Sequence, residues 1–509
     1  MKSFPRRLGG ALLLTPTLLV LLVLLTPVGL AQGSAAPEDS TAARRLLAEG
    51  QRLEKEGEID AAIQEYTLLL ERFPKTLQAE EGLLALALAQ RNSGDPALAQ
   101  QNAERLVNQY PASPRAADAL VLLGGLLADA PSQPQDLEEA RTLFRRVPLL
   151  FGRDAFPRLA ARTEAQVRAG QIGLRLGDFQ DAAAAFVVAI EEEPRSPWTA
   201  AARLGLARVL LHQGEWVAAA DELQRVVQDA SAVAPEARRW LTLIHRLRVR
   251  PAAGQAPWPT ARLLPVASAQ LKKPAAVAAS AEGRVVIADD GTDSGLVVGV
   301  DGSLEGRVQA KDMGHPWWVQ GRAYLPAGEN VYAFEDRTNL RFLAPKGDDL
   351  KPLDKLTAGA RGTFGQWYLL DRGRGEVIAF APAGRHLGVL AQGDPSDLAQ
   401  DLQGRLYVLD RKAKAVTRYS AQGERLGIAA RGDWRKPEAV AVDALGNVYV
   451  LDRDSGRIDI FDPQGNSFTS LGPSLPGGIE LRSPLDLALD GQGRIFVADP
   501  RLGAVVVLE

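Results

Sequence analysis

Four stretches in the second half of the chain share one frame, and that frame leaves few folds open. KPAAVAASAEGRVVIAD (273–289), DPSDLAQDLQGRLYVLD (394–410), KPEAVAVDALGNVYVLD (436–452) and SPLDLALDGQGRIFVAD (483–499) each set a proline fifteen residues before a closing aspartate. The pairs are Pro274 and Asp289, Pro395 and Asp410, Pro437 and Asp452, Pro484 and Asp499. From Leu263 onward the apolar residues alternate with period two and β-branched residues become frequent, the mark of short strands. Degenerate copies end at Asp371 (GQWYLLD) and run through NVYAFEDRTNLRFLAPKG at 330–347. Six units of about 40 residues, each reading as four strands joined by turns, predict a six-bladed β-propeller. After Pro484 only three strands follow (LDLALD, RIFVAD, AVVVL). The missing outer strand is expected from ARLLPVA at 261–267, which would close the ring and cover a sheet edge.

The first half has a different period. From Thr41 to about Val249 the chain is rich in Ala, Leu, Arg, Glu and Gln at helical spacing, as in LLALALA (83–89) and ARLGLARVLL (202–211). Gly57, Gly94 and Gly177 each precede an acid (Glu58, Asp95, Asp178), with Ala62, Ala99 and Ala182 five residues on and Pro74, Pro111 and Pro194 seventeen on. Glycine ends one helix, the acid caps the next, alanine lets the two approach, and proline stops the second. Gly214-Glu215-Trp216 with Ala219 opens another unit, Leu137–Phe144 carries a degenerate one, and 235–249 caps the stack. The unit length of about 37 residues is that of a helix–turn–helix solenoid.

These helical units resemble the tetratricopeptide repeat family. The endings YTLLLERFPKT and AERLVNQYPAS are similar to those of exported members related to outer-membrane assembly factors of the BamD type and to periplasmic cell-division coordinators. The strand units resemble the NHL repeat family. The expected fold is therefore multidomain α + β, a tetratricopeptide solenoid followed by an all-β, NHL-like six-bladed propeller. The domain reading is an export signal over 1–31, a flexible N-terminus over 32–40, the solenoid over 41–250, a linker over 251–260 and the propeller over 261–509. The linker, PAAGQAPWPT, holds too much Pro, Gly and Ala for a helix and reads as semi-rigid.

Lys2, Arg6 and Arg7 precede an apolar run from Ala11 to Leu25, and Gly29-Leu30-Ala31 supplies small residues before Gln32. This is the pattern of a cleaved export signal, with an uncleaved membrane anchor as the alternative. Both predict a periplasmic or extracellular protein. The sequence contains no cysteine, which excludes disulfides, thiolate metal sites, a catalytic cysteine and a cysteine-linked lipid anchor. With 59 basic and 62 acidic residues there is no global basic field for nucleic acid.

Motifs of chemistry are sparse. DRDSG (452–456) resembles the start of a calcium loop, but its glycine falls fifth and no glutamate follows at the closing position. The corresponding stretches DRGRGEV (371–377), DRKAKAV (410–416) and DPRLGAV (499–505) keep only the first aspartate, so the motif reads as a turn. Asp289 to Asp293 is the most acidic of these turns. Neither G-x-S-x-G nor a phosphate-binding loop occurs. Six-bladed lactone hydrolases and peptide-amidating lyases resemble this fold and hold metal in the channel. His315 and His386 read as falling in non-equivalent places, so neither ligand set carries over; His315, in GHPWW, reads as a strand-leading residue. The basic run Arg238 to Arg250 reads as a solvated helix face.

No catalytic, cofactor-binding or metal-binding residue is therefore expected, and no enzyme. Trp317, Trp318 and Trp434 are the candidate partner-binding residues, as aromatic anchors on the propeller rim. The expected function is an exported cell-envelope scaffold binding proteins or peptides, with no nucleic-acid partner and membrane contact only through an uncleaved N-terminal segment. The alternative is a propeller enzyme of the lactonase or lyase kind, or a carbohydrate-binding module, with a site in the central channel. Three or more convergent acids, asparagines or histidines in the channel would favour the alternative, and a lining of small apolar residues would count against it.

Overall fold

The computed structural model describes residues 37–157, 159–266, 271–347 and 349–509. Residues 1–31, read from the sequence as an export signal, and the end of the 261–267 strand lie outside the described residues. Among the described residues eleven helices longer than ten residues precede the sheets: Pro37–Glu56 with Ile59–Arg72, Leu77–Asn92 with Pro96–Gln109, Pro114–Asp129 with Pro134–Leu150, Ala160–Leu176 with Phe179–Glu192, Thr199–Gln213 with Trp216–Gln228, and a capping helix Ala234–Ile244 that runs on through a π-helical turn, His245–Val249, to Arg250–Ala252, two residues into the expected linker. The first begins at Pro37, so the last residues assigned to a flexible N-terminus are helical.

The glycine–alanine code works as the spacing predicts. Gly177 ends its helix in the left-handed conformation, φ +83°, which any side chain would strain. Ala62, Ala99, Ala182 and Ala219 have no exposed surface, each sitting where two helices close together. Bulky aromatics in the second helix of a pair seat against glycines of the helices before and after it. A Cβ built on Gly205 would stand 2.3 Å from Phe186 Cζ, and one on Gly170 2.7 Å from Phe186 Cε1. Gly205→Ala should accordingly destabilise the chain by about 1–3 kcal/mol, read from the shift of its denaturation midpoint.

Six four-stranded antiparallel sheets follow, one per blade. Blades one to five run in sequence order, and a two-stranded hairpin, Leu343–Lys346 with Asp349–Pro352, is inserted between the second and third. The sixth blade takes its outer strand, Ala261–Leu263, from just after the linker, paired antiparallel with Ala504–Leu508.

The shared aspartate binds five of the six blades together, the second being the exception. Asp452 accepts from the Arg435 and Lys436 N–H groups at 3.2 and 2.6 Å and from Ser455 Oγ at 2.7 Å, so it clasps the loop leading into the blade as well as the turn after it. Asp289 makes the same clasp on Lys272, Lys273, Gly291 and Thr292. The carboxylates that most resembled calcium ligands are thus saturated by donors of their own loops.

The two halves pack on each other. Trp258, from the proline-rich linker, is 1% exposed and donates its indole N–H to Gly493 O at 2.7 Å. Leu243 and Leu247 of the capping helix join it in one core with Tyr449, Ile495, Val497 and Leu508. Arg246 donates to Gln492 O at 3.2 Å, so part of the basic run is docked rather than solvated, because the sequence places Leu243 and Leu247 on the same face. Farther along the solenoid, Phe364 from a turn of the third blade is buried in the core of helices 114–176.

Candidate functional site in the propeller channel

The innermost strand of each blade lines the central channel, and a repeated bulge decides which side chain points into it. In blades one, three, four and five the register shifts between the first strand residue and the third: Pro274/Ala276, Leu356/Ala358, Pro395/Asp397 and Pro437/Ala439. A bulge re-aims the residue that follows it. Asp486 holds the equivalent place in blade six, paired with Ala498 just before the closing Asp499.

The second blade lacks both the proline and the closing aspartate, yet its backbone follows the same path. Met313 bridges Ala327, and Gly314 N–H donates to Pro326 O at 2.9 Å, as Leu485 N–H donates to Ala498 O at 3.0 Å in blade six. His315 therefore occupies the position of Asp397 and Asp486. His386 lies on the outermost strand of the third blade, paired with Phe380, so the two histidines do fall in non-equivalent places, and it is with two aspartates that His315 shares its position. Alternate blades, second, fourth and sixth, present His315, Asp397 and Asp486 at one level, while the blades between present Ala276, Ala358 and Ala439. The convergence that would favour a channel site is present, with alanines between the charged groups to give them room.

Hydrogen bonds hold the two carboxylates in place. Asp397 Oδ2 accepts from Val440 N–H of the next blade and Oδ1 from Leu398 N–H, both at 2.8 Å. Asp486 repeats this with Val277 and Leu487, also at 2.8 Å. His315 is fixed through its backbone N–H, which donates to Thr357 O at 2.6 Å. That approach needs Gly314, since a Cβ there would stand 2.2 Å from Thr357 O.

Nδ1 of His315 lies 2.9 Å from Asp486 Oδ1 and 3.9 Å from Asp397 Oδ1. The shorter contact is close enough for a hydrogen bond but lacks its alignment, leaving Nδ1 a buried nitrogen in contact with charge and without a directed partner. Burial alone would favour the neutral imidazole, but the charges of Asp486 and Asp397 outweigh it and carry its pKa up to about 10. Burial raises Asp397 to about 6 despite the pull of His315.

The triad forms the floor of a cavity of about 640 Å³. Its walls include Trp317, Trp318, Arg361 and Gln400, and Ala128, Asp129 and Arg175 of the solenoid line it as well, so the helical half lies over this mouth of the channel. Arg175 is tied back by a 2.8 Å bond to Ala128 O.

The tryptophans chosen from the sequence are not placed as rim anchors. Trp434 has no exposed surface and donates to Asp459 Oδ2 at 2.9 Å within the core between blades four and five. Trp317 is 9% exposed, stacked on Tyr324 between blades two and three. Trp318 is half-buried, under the Arg284 guanidinium at 5.0 Å, and keeps a face on the cavity. Rim position suggested exposure, but Trp434 and Trp317 fold back into blade seams, and Trp318 is half-buried with a face on the cavity. The missed residues had a signal in part: Pro395-x-Asp397-Leu398 and Pro484-x-Asp486-Leu487 repeat one pattern.

Two family models match the helical half. One described as outer membrane lipoprotein covers residues 39–157, and one described as tetratricopeptide repeat covers 164–251. No curated protein matches the sequence. Among solved structures, the chain is similar to virginiamycin B lyase from Staphylococcus aureus at 12% identity, over 49% of this chain and 98% of that one, with a TM-score of 0.37. It is similar to XC5397, a gluconolactonase from Xanthomonas campestris, at 16% identity over 47% and 87% of the two chains, TM-score 0.39. It is also similar to TTC0263, a tetratricopeptide protein of Thermus thermophilus, at 23% identity over 37% and 91%, TM-score 0.29. No helix among the described residues is long and apolar enough to cross a membrane.

Proposed function

We propose that this protein is an exported scaffold of the cell envelope whose leading helices hold a protein partner while the propeller anchors them. One observation carries this reading. The segment matched by the outer membrane lipoprotein family includes helices whose core, from Ala43 to Leu123, is made of helical residues alone, whereas the later helices pack on the propeller. Helices 37–109 thus carry a surface of their own, continuous with the two helices that Phe364 joins to the propeller. It includes a groove of about 210 Å³ between Pro96–Gln109, Pro114–Asp129 and Pro134–Leu150, with Val107, Leu127 and Leu143 below and Glu104, Glu139 and Arg146 at the rim. An apolar floor with a charged rim suits an amphipathic helix or peptide.

Photo-crosslinking side chains placed at Val107 and Leu143 in the full chain test this. The expected result is a discrete envelope-protein adduct from both positions and none from Leu426, exposed on the propeller. Leu143→Glu should cut the adduct about tenfold or more by charging the floor. No adduct, or the same adducts from all three positions, would count against the reading.

A second reading, a propeller enzyme or binding module with a small-molecule site in its channel, is favoured by the convergence of His315, Asp397 and Asp486 in one cavity. Its first chemical requirement is a charged centre on the channel axis, which those three residues provide.

A further inference from the structure

Three polar side chains at the same level of alternate blades, with alanine on every blade between, are a costly arrangement for a channel that only needs to be filled. Burying two carboxylates beside one another is unfavourable unless positive charge compensates them. His315 supplies one positive charge when protonated, but it does so badly: Nδ1 is in contact with Asp486 Oδ1 without hydrogen-bond alignment. Glu438, at the bulge of the fifth blade, adds a third acid near the imidazole. It is 7% exposed, and only its Oε1 is engaged, by Arg411 at 2.8 Å; Oε2 is buried without a hydrogen bond. With Glu438 paired to Arg411, the two channel aspartates have His315 alone as their counter-charge.

The donor atoms are arranged to receive a cation. The nearest ligand atoms of His315, Asp397 and Asp486 all lie within 4.8 Å of one another. At metal–ligand bonds of about 2.1 Å, adjacent donors sit roughly 3 Å apart, so the 2.9 Å edge already fits, while the 3.9 Å edge and the edge between the carboxylates, at most 4.8 Å, would close on the ion. Each carboxylate is already oriented by two backbone N–H groups, the outer-shell support that holds metal ligands in place.

We propose that His315 Nδ1, Asp397 Oδ1 and Asp486 Oδ1 bind one divalent first-row transition cation, of the manganese or zinc kind, on the channel axis. One imidazole and two carboxylates suit such an ion; calcium would demand six or more oxygen ligands. Three donors from alternate blades form one triangular face of the coordination sphere. The opposite face opens to the cavity beneath the solenoid, where water or a ligand atom completes it. Neither partner binding by the leading helices nor any turnover is needed for this inference to hold.

Full-length protein, stripped with a chelator and dialysed, is titrated with Co²⁺, Mn²⁺ and Zn²⁺, and bound metal is measured by elemental analysis and by cobalt absorption. About one equivalent per chain is expected, with a rise in melting temperature that the chelator reverses. Asp397→Asn keeps the shape and an acceptor for Leu398 N–H, and His315→Gln keeps a polar side chain, so both should fold. Each should weaken binding by more than the roughly 10–100-fold lost when only an outer-shell partner is removed. Folded wild-type protein that takes up no stoichiometric metal would overturn the proposal. So would variants, folded by circular dichroism, that hold metal as the wild type does.

Discussion

Replacing Trp258 by alanine is expected to cost about 3–5 kcal/mol and to uncouple the two halves of the molecule. The indole is almost fully buried, meets Tyr449 edge-on at 6.1 Å and shares a core with Leu243 and Leu247 of the capping helix. Its removal leaves a cavity at the place where solenoid and propeller meet, and strips Gly493 O of the indole N–H. Calorimetry of the variant should resolve separate transitions for the helical and strand-rich halves, where tighter coupling is expected of the wild type. Limited proteolysis should cut within 251–260, a stretch that reads as a semi-rigid linker and is pinned at its only aromatic residue. A variant with unchanged melting and no new cleavage would show that the interface does not depend on this side chain.

Trp434→Ala should be as damaging, for a different reason. The ring fills the seam between blades four and five, edge-on to Phe461 at 5.9 Å, and its N–H satisfies one oxygen of the buried Asp459. Loss of the ring is expected to cost about 3–5 kcal/mol. Trp434→Phe, which retains most of the volume but drops the donor, should cost about 1–3 kcal/mol. Denaturation midpoints of the two variants separate packing from hydrogen bonding. If Trp434 were a surface anchor, both variants would keep wild-type stability and lose only partner binding.

How far the sequence could be read depended on whether a position carried a local physical mark. Helix ends did, because Gly177 and its counterparts need a conformation that other residues resist, and proline marks where a helix stops. Blades one, four, five and six did, because proline and aspartate mark the two ends of the same strand pair. The second blade carries neither mark, so nothing in the sequence registers His315 against Asp397 and Asp486. That register emerges only when Met313 is seen to bridge Ala327. The burial of Trp434 and Trp258 was illegible for a related reason. Their partners are 25 and 235 residues away, and neither residue sits in a periodic segment that would reveal which way it faces.

The seam that joins Ala261–Leu263 to Ala504–Leu508 also imposes an order in time. Thr260 and Glu509, 249 positions apart, exchange backbone hydrogen bonds, so the join cannot form until almost the whole propeller has been synthesised. Five blades must wait as an arc with a bare strand at each end, and such long-range closures are slow. The solenoid, made first, is already at hand to lie along that arc through Trp258 and Phe364. On this view the helical half is a jig for its own propeller, holding the unfinished arc until the final strand locks it.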